Sequence, residues 1–204
     1  MVQMIKNWKL KEIVMLSIIS VVAGVLYMAF SLLGYGIRNV LTPFGLAPFG
    51  FEVIFGLWLI GSIIAAYVIR KPSAALLVGL ISAAVEILSG SPGGAKIILA
   101  GLVQGAGVEL PFALTKWKNY QKRILVLAAM SGAVFSFIWQ LFAGGNLALA
   151  PWLLVSMLVV RLIASSLLGG LLGKWVSDKL AQTGVLGGYA LGKEQKKKRE
   201  DEAI

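Results

Sequence analysis

Ile13-Val-Met-Leu-Ser-Ile-Ile-Ser-Val-Val-Ala-Gly-Val-Leu-Tyr-Met-Ala-Phe-Ser-Leu-Leu-Gly34 runs for 22 residues without a charge. A helix needs about 20 apolar residues to cross the hydrocarbon core of a bilayer. The run follows the basic residues Lys6, Lys9 and Lys11, as the apolar part of a signal peptide would, but it is too long and has no small-residue cleavage site. It reads as a retained membrane helix over Glu12–Gly34. The same rule places further spans near Phe51–Ile69, Ser73–Ser89, Ala95–Thr115, Arg123–Ala143 and Pro151–Val176. The expected fold is an all-α membrane protein, a bundle of about six transmembrane helices filling residues 1–204 as one domain.

Composition agrees. The chain of 204 residues is 58% hydrophobic and only 14% charged, with a mean hydropathy of +0.86. A soluble domain of this size has no core large enough to hide that much apolar surface. The net charge of +10 is spread in short clusters between apolar runs rather than along a groove with interleaved aromatics, so nucleic acid is not the implied partner. With the N-terminus in the cytoplasm, 16 of the 19 Lys and Arg residues fall on cytoplasmic segments. Those segments are the basic start 1–11, Arg70-Lys71, Lys116 to Arg123, and the region from Lys174 through the tail 178–204. Arg38 and Lys96 fall outside and Arg161 within a span. The asymmetry predicts both termini inside. The tail Lys193-Glu-Gln-Lys-Lys-Lys-Arg199 could hold anionic lipid headgroups, but the favoured reading is a solvated run that reinforces topology.

Cysteine and histidine are absent. That removes disulfides, thiolate and Ser–His catalysis, and Cys- or His-based metal sites, so neither a metal nor a cofactor is expected. No G-x-x-x-x-G-K-[ST] loop occurs, so ATP is not bound in the P-loop manner, and an ion gradient or a partner chain must drive any uphill transport.

Ionisable groups within membrane spans are costly and so mark candidate sites. Glu86 lies ~5 Å from the outer end of its span at 1.5 Å rise per residue. It shares a helix face with Gly79 and Ala83 and therefore points inward. Trp139 and Gln140 lie at a similar level, Gln104 near the midplane, and Glu52 and Asn146 toward the outer surface. Together they offer a counter-ion, hydrogen-bond partners and a stacking face for a small organic cation. Glu109 and Arg161, at ~21 Å and ~15 Å from the outer side, fall within reach of each other. They read as a structural ion pair, or else as a second site with a ligand or proton-relay role. The segment Tyr35-Gly-Ile-Arg-Asn-Val-Leu-Thr-Pro-Phe-Gly-Leu-Ala-Pro-Phe-Gly50 is too apolar for a plain connector. It is expected to fold over the helix ends as a lid, with Tyr35, Asn39, Phe44 and Phe49 as its contacts. Ser20 and Gly24 form a small-residue stripe suited to close helix packing, either inside the bundle or against a second membrane protein.

The runs Glu86-Ile-Leu-Ser-Gly-Ser-Pro-Gly-Gly94 and Gly101-Leu-Val-Gln-Gly-Ala-Gly-Val-Glu-Leu-Pro-Phe-Ala-Leu-Thr-Lys-Trp117 resemble the substrate-binding S components of energy-coupling factor (ECF) transporters, more narrowly the thiamine-pathway type called YkoE. The resemblance covers nearly the whole chain in helix number and orientation, but its motif lies in the third and fourth spans. It implies a multi-pass subunit of the bacterial plasma membrane, not itself an enzyme. Such a subunit binds thiamine or its hydroxymethylpyrimidine (HMP) precursor from outside and works with a transmembrane coupling subunit and ATPase subunits. The motif positions are Glu86, Gln104 and Glu109. The wider family is also associated with cobalt, for which a chain without His or Cys lacks the usual ligands. The alternative reading is a self-sufficient ion-coupled carrier of a small organic cation, with Glu109 and Arg161 as its relay.

Overall fold

The computed structural model describes residues 8–202, which leaves Lys6 of the basic N-terminal run outside the described residues. Every regular element among them is helical. Helix α1 spans Leu10–Leu41. A one-turn 3₁₀ helix over Thr42–Phe44 and the short α2, Phe49–Glu52, lead into a 3₁₀ segment over Phe55–Leu59 continued by α3, Ile60–Ile69. Then come α4, Ala74–Leu88, α5, Lys96–Leu114, α6, Lys122–Ala143, and α7, Pro151–Ala164. A π-helical segment over Ser165–Leu171 joins α7 to α8, Leu172–Gln182, and α9 covers Ala190–Glu202. Four stretches are long and apolar enough to cross a membrane, namely Leu10–Phe44, Lys96–Leu114, Lys122–Ala143 and Pro151–Gln182, and Phe55–Ile69 and Ala74–Leu88 are shorter apolar helices.

Helices α4, α5 and α6 end within one residue of the expected spans. The other three spans differ, the last of them by running six residues past Val176 to Gln182. The first span continues seven residues past Gly34 to Leu41, because nothing from Tyr35 to Leu41 breaks a helix and Arg38 complements the negative end of the helix dipole. Pro43 and the left-handed Gly45 (φ 69°) end it. The second span is broken rather than continuous. Ile54 leaves helical geometry at φ −117°, and Gly56 sits so close to the backbone of Ala164, Ser165 and Gly169 that a Cβ there would collide with it. The break lets Glu52 turn into the protein instead of opening the span at the surface.

Close approach explains the centre of the bundle. A Cβ on Gly79 of α4 would lie 2.7 Å from the Gly101 carbonyl oxygen and 2.9 Å from Gly105 Cα on α5. Small residues at these crossings replace hydrophobic driving force with intimate packing. The Ser20–Gly24 stripe is of the same kind. Ser20 is fully buried and a Cβ on Gly24 would meet Val85 and the Ser82 carbonyl of α4. These positions hold α1 against α4, which corrects the expectation of a partner-docking stripe there. The outward face of α1 instead carries Ile18, Val22 and Val25, each about half exposed.

The basic tail is not simply solvated. Leu186 and Leu191 are buried, and α9 packs back on α3 and α8. Arg70 meets Glu194 at 2.6 Å, while Lys11 donates to the Gly188 carbonyl at 2.8 Å and the Tyr189 hydroxyl to the Lys11 carbonyl at 3.1 Å.

Candidate functional site

Near the end of the bundle where α4 finishes, a cavity of about 260 Å³ opens between α1, the 49–59 segment, α4, α5 and α6. Its acidic group is Glu86, 3% exposed. The side-chain hydroxyls of Ser31 from α1 and Ser91 from the loop after α4 donate to Glu86 Oε1 at 2.7 and 3.0 Å. Two neutral donors fix the carboxylate without cancelling its charge, which leaves it able to act as a counter-ion. Glycine and alanine at 79, 83, 100 and 101 form the floor, so the helix crossing that brings α4 against α5 also creates the hollow beside Glu86.

Aromatic rings make the opposite wall. Tyr27, Tyr35, Phe51, Phe55 and Trp58 all line the cavity. Tyr35 meets Phe51 edge-on at 5.1 Å between centroids, and Trp58 lies 6.2 Å from Phe51 and 6.3 Å from Phe55. The negative faces of such rings favour a cation or a flat heteroaromatic group. Gln104 completes the lining from α5, and its amide reaches Ser136 at 3.4 Å. Gln140 completes it from α6.

Of the expected ligand residues, Glu86, Gln104, Gln140 and Tyr35 therefore share one cavity, whereas Glu52, Trp139 and Asn146 do not line it. Trp139 precedes Gln140 by one residue, and 3.6 residues per turn rotate it off the lining face. Asn146 lies in a 3₁₀ turn beyond α6. The lid is corrected as well. Phe44 is 73% exposed, Asn39 is an exposed helical residue, and neither they nor Phe49 line the cavity. Phe51, Phe55 and Trp58, which lie just beyond that segment, line the cavity together with its Tyr35. Ser31, Ser91, Tyr27, Phe51, Phe55 and Trp58 were missed. Ser20, Gly24, Tyr27, Ser31 and Gly34 recur at helical spacing and are all buried, so the inward face of α1 carried a signal for two of them.

Arg161 and Glu109 do not pair with each other. Arg161 is fully buried and forks onto Glu52, with Nε to Oε2 at 2.5 Å and Nη2 to Oε1 at 2.7 Å. Nη2 also donates to Gln140 Oε1 at 2.5 Å, and the guanidinium lies 4.0 Å from the Phe55 ring centre. The broken second span, which turns Glu52 inward, makes this bidentate pair possible. Because Gln140 and Phe55 belong to both groups, the ion pair backs directly onto the cavity wall.

Glu109 sits at the opposite, basic end of the bundle as a cap supplied from another helix. Its carboxylate accepts from the backbone N–H of Ser73 at 2.7 Å, Ala75 at 2.9 Å and Leu76 at 3.4 Å, and from the Trp117 indole at 2.5 Å. It thus satisfies orphan donors at the start of α4, where negative charge is favoured. Glu109→Gln is expected to cost ~1–2 kcal/mol of stability, the scale of an N-terminal cap, while leaving ligand affinity unchanged. Melting curves and binding titrations on the same preparation check this. A variant that melts like the parent but no longer binds ligand would move Glu109 into the ligand site.

Residues 11–135 match the family model described as ABC-type cobalt transport system, permease component. The chain is 53% identical over 195 residues, 95% of its own length and 95% of the relative's, to a protein of Bacillus subtilis (strain 168) that carries the name HMP/thiamine permease protein YkoE. A solved structure described as an S-component of ECF transporter matches with a TM-score of 0.92 and 50% identity, over 97% of this chain and 98% of that one. With identity and fold agreeing across almost the full length, the chain belongs to the S components of ECF transporters, in the group of YkoE.

Proposed function

We propose that this protein is the substrate-binding subunit of an ATP-driven vitamin importer of the bacterial plasma membrane. It takes thiamine or HMP from the outer side into the cavity around Glu86. In this reading six helical segments cross the bilayer, counting the shorter Phe55–Ile69 and Ala74–Leu88, and both termini lie in the cytoplasm as the basic residues require. The observation that carries it is a buried carboxylate facing an aromatic wall in a cavity with two primary amides. Thiamine matches each part: a fixed positive charge for Glu86, flat rings for Phe51, Phe55 and Trp58, and an aminopyrimidine edge for Gln104 and Gln140. The relative's name, which couples HMP with thiamine, supports the same ligand class. A cobalt ion as cargo fits poorly, since the sequence contains neither His nor Cys. An ion-coupled carrier would use Glu109 and Arg161 as a relay, but these residues are engaged by different partners.

A sequence without a P-loop leaves ATP hydrolysis to other chains, so a coupling membrane subunit and ATPase subunits complete the importer. Purified protein is expected to bind thiamine or HMP saturably in detergent. Liposomes holding it alone are expected to accumulate neither in response to a proton or sodium gradient. Gradient-driven accumulation by this chain alone would establish the carrier reading instead.

A further inference from the structure

The basic end of the molecule holds a second cavity, of about 540 Å³, that vitamin binding does not use. Its residues come from separate parts of the chain: Tyr67 and Arg70 at the end of α3, the 118–122 loop before α6, Lys174 on α8, and Glu194 and Lys198 on α9. Five cations converge there, Arg70, Lys118, Lys122, Lys174 and Lys198, against one lining carboxylate, Glu194, and Asp178, which pairs with Lys174. The topology rule for membrane proteins asks only that cytoplasmic loops be basic. It does not ask that cations from distant segments surround one hollow, where five cations outnumber Glu194 and Asp178 by three and their remaining repulsion favours a further anion.

The cations fall into two tiers. Arg70 and Lys174 form the back of the cavity, with side chains 21% and 29% exposed. The Arg70 guanidinium is held in place over the Tyr120 ring at 4.9 Å and by its Nε–H bond to the Tyr67 carbonyl at 3.2 Å. Lys118 and Lys122 stand exposed at the rim, and among the described residues neither has an ion-pair partner. Glu194 joins the tiers, meeting Arg70 at 2.6 Å and Lys198 at 2.7 Å. The Lys198 ammonium and then Arg70 hold its carboxyl below the ordinary glutamate range, so it stays an anion.

A second, independent feature is Tyr120. It lines the cavity, is 91% buried (9% exposed), and its hydroxyl has no hydrogen-bond partner among the described residues. Burial, with the Glu109 charge nearby, pushes its phenol up, so it remains a proton donor at neutral pH. That hydroxyl is sealed from the cavity, so what Tyr120 contributes is the ring on which the Arg70 guanidinium is seated, and it is the fixed cations that select an oxygen-rich anion. A carboxylate would present two oxygens and one charge. A phosphate presents more oxygens and up to two charges, and better matches a fixed guanidinium flanked by several ammonium groups.

We propose that this cavity is a phosphate site on the cytoplasmic face, with Arg70, Lys118, Lys122 and Lys174 as its cations. Its occupant is either the headgroup of an anionic phospholipid or a soluble phosphate ester. Both present the same group, and basic pockets beside cytoplasmic helix ends are suited to lipid headgroups. The site lies at the opposite end of the bundle from Glu86 and goes beyond the vitamin-binding reading without depending on it.

The test uses the full chain in nanodiscs of phosphatidylcholine alone and of phosphatidylcholine with phosphatidylglycerol, titrated with inorganic pyrophosphate by calorimetry. Saturable pyrophosphate binding is expected in the neutral discs. Lys118→Gln/Lys122→Gln should weaken it by at least about tenfold, the scale of one lost charge-assisted contact. Both lysines are exposed rim residues, so the double variant should melt like the parent. If a lipid headgroup is the occupant, phosphatidylglycerol in the disc should compete with pyrophosphate and be retained by the parent in native mass spectrometry, but lost from the double variant. If a soluble ester is the occupant, pyrophosphate should bind equally in both discs. Absence of both pyrophosphate binding and lipid retention, or binding that ignores the double variant, would overturn the proposal.

Discussion

Glu86→Gln is expected to weaken thiamine binding by roughly 2–3 kcal/mol, the upper range for a hydrogen-bonded contact to a charged group. The exchange keeps shape and hydrogen-bonding capacity and deletes only the charge. Ser31 and Ser91, which donate to Oε1 in the parent, can still donate to the amide oxygen. The loss should therefore report the attraction between carboxylate and thiazolium in a water-poor cavity. HMP has no thiazolium, so its affinity should fall much less, and the ratio of the two losses separates charge recognition from cavity damage. Equal titrations of thiamine by parent and variant would remove Glu86 from the counter-ion role.

The second large effect concerns the pair behind the cavity wall. Arg161→Met should destabilise the protein by ~3–5 kcal/mol, the cost of breaking a buried ion pair by deleting one partner. Glu52 would be left in an apolar interior without its guanidinium, and Gln140 would lose the donor that orients it. Removing both charges should recover most of the loss, because a well-packed apolar replacement of a buried pair is often neutral. Glu52→Leu/Arg161→Met is thus expected to melt well above Arg161→Met. Both variants should bind ligand more weakly, since Gln140 loses its anchor. A single variant that melts like the parent would show that the pair contributes little to the fold.

Hydropathy located α4, α5 and α6 to within one residue because a span is a local property, written in consecutive side chains. Glu86 was legible for a related reason: Gly79 and Ala83 on its own helix face already indicate a close neighbour and a hollow beside it. The Glu52–Arg161 pair was not legible. Its members lie 109 positions apart, and Glu52 turns inward only because the chain departs from a helix at Ile54, where the hydropathy remains that of a continuous span. Depth alone matched Arg161 with Glu109. It could not register that α4 begins with backbone donors in need of an acceptor, a demand that belongs to backbone geometry and not to any side chain's polarity. Phe51, Phe55 and Trp58 were read as ordinary apolar residues of a span, since a wall and a lipid-facing surface have the same composition.

The π-helical segment at Ser165–Leu171 fixes the phase between two halves of one long rod. A π turn takes up one residue more than an α turn, so restoring α-helical winding without removing a residue would turn everything beyond by about 100°. Gly173 would leave its seat against Ile63, and Asp178 would swing away from the Tyr67 hydroxyl it accepts from at 3.0 Å. Length, composition and hydropathy would hardly change. The winding between Arg161 and Lys174 therefore works as a gear ratio between the Glu86 end of the bundle and its basic end, and a shift by one tooth would disengage them.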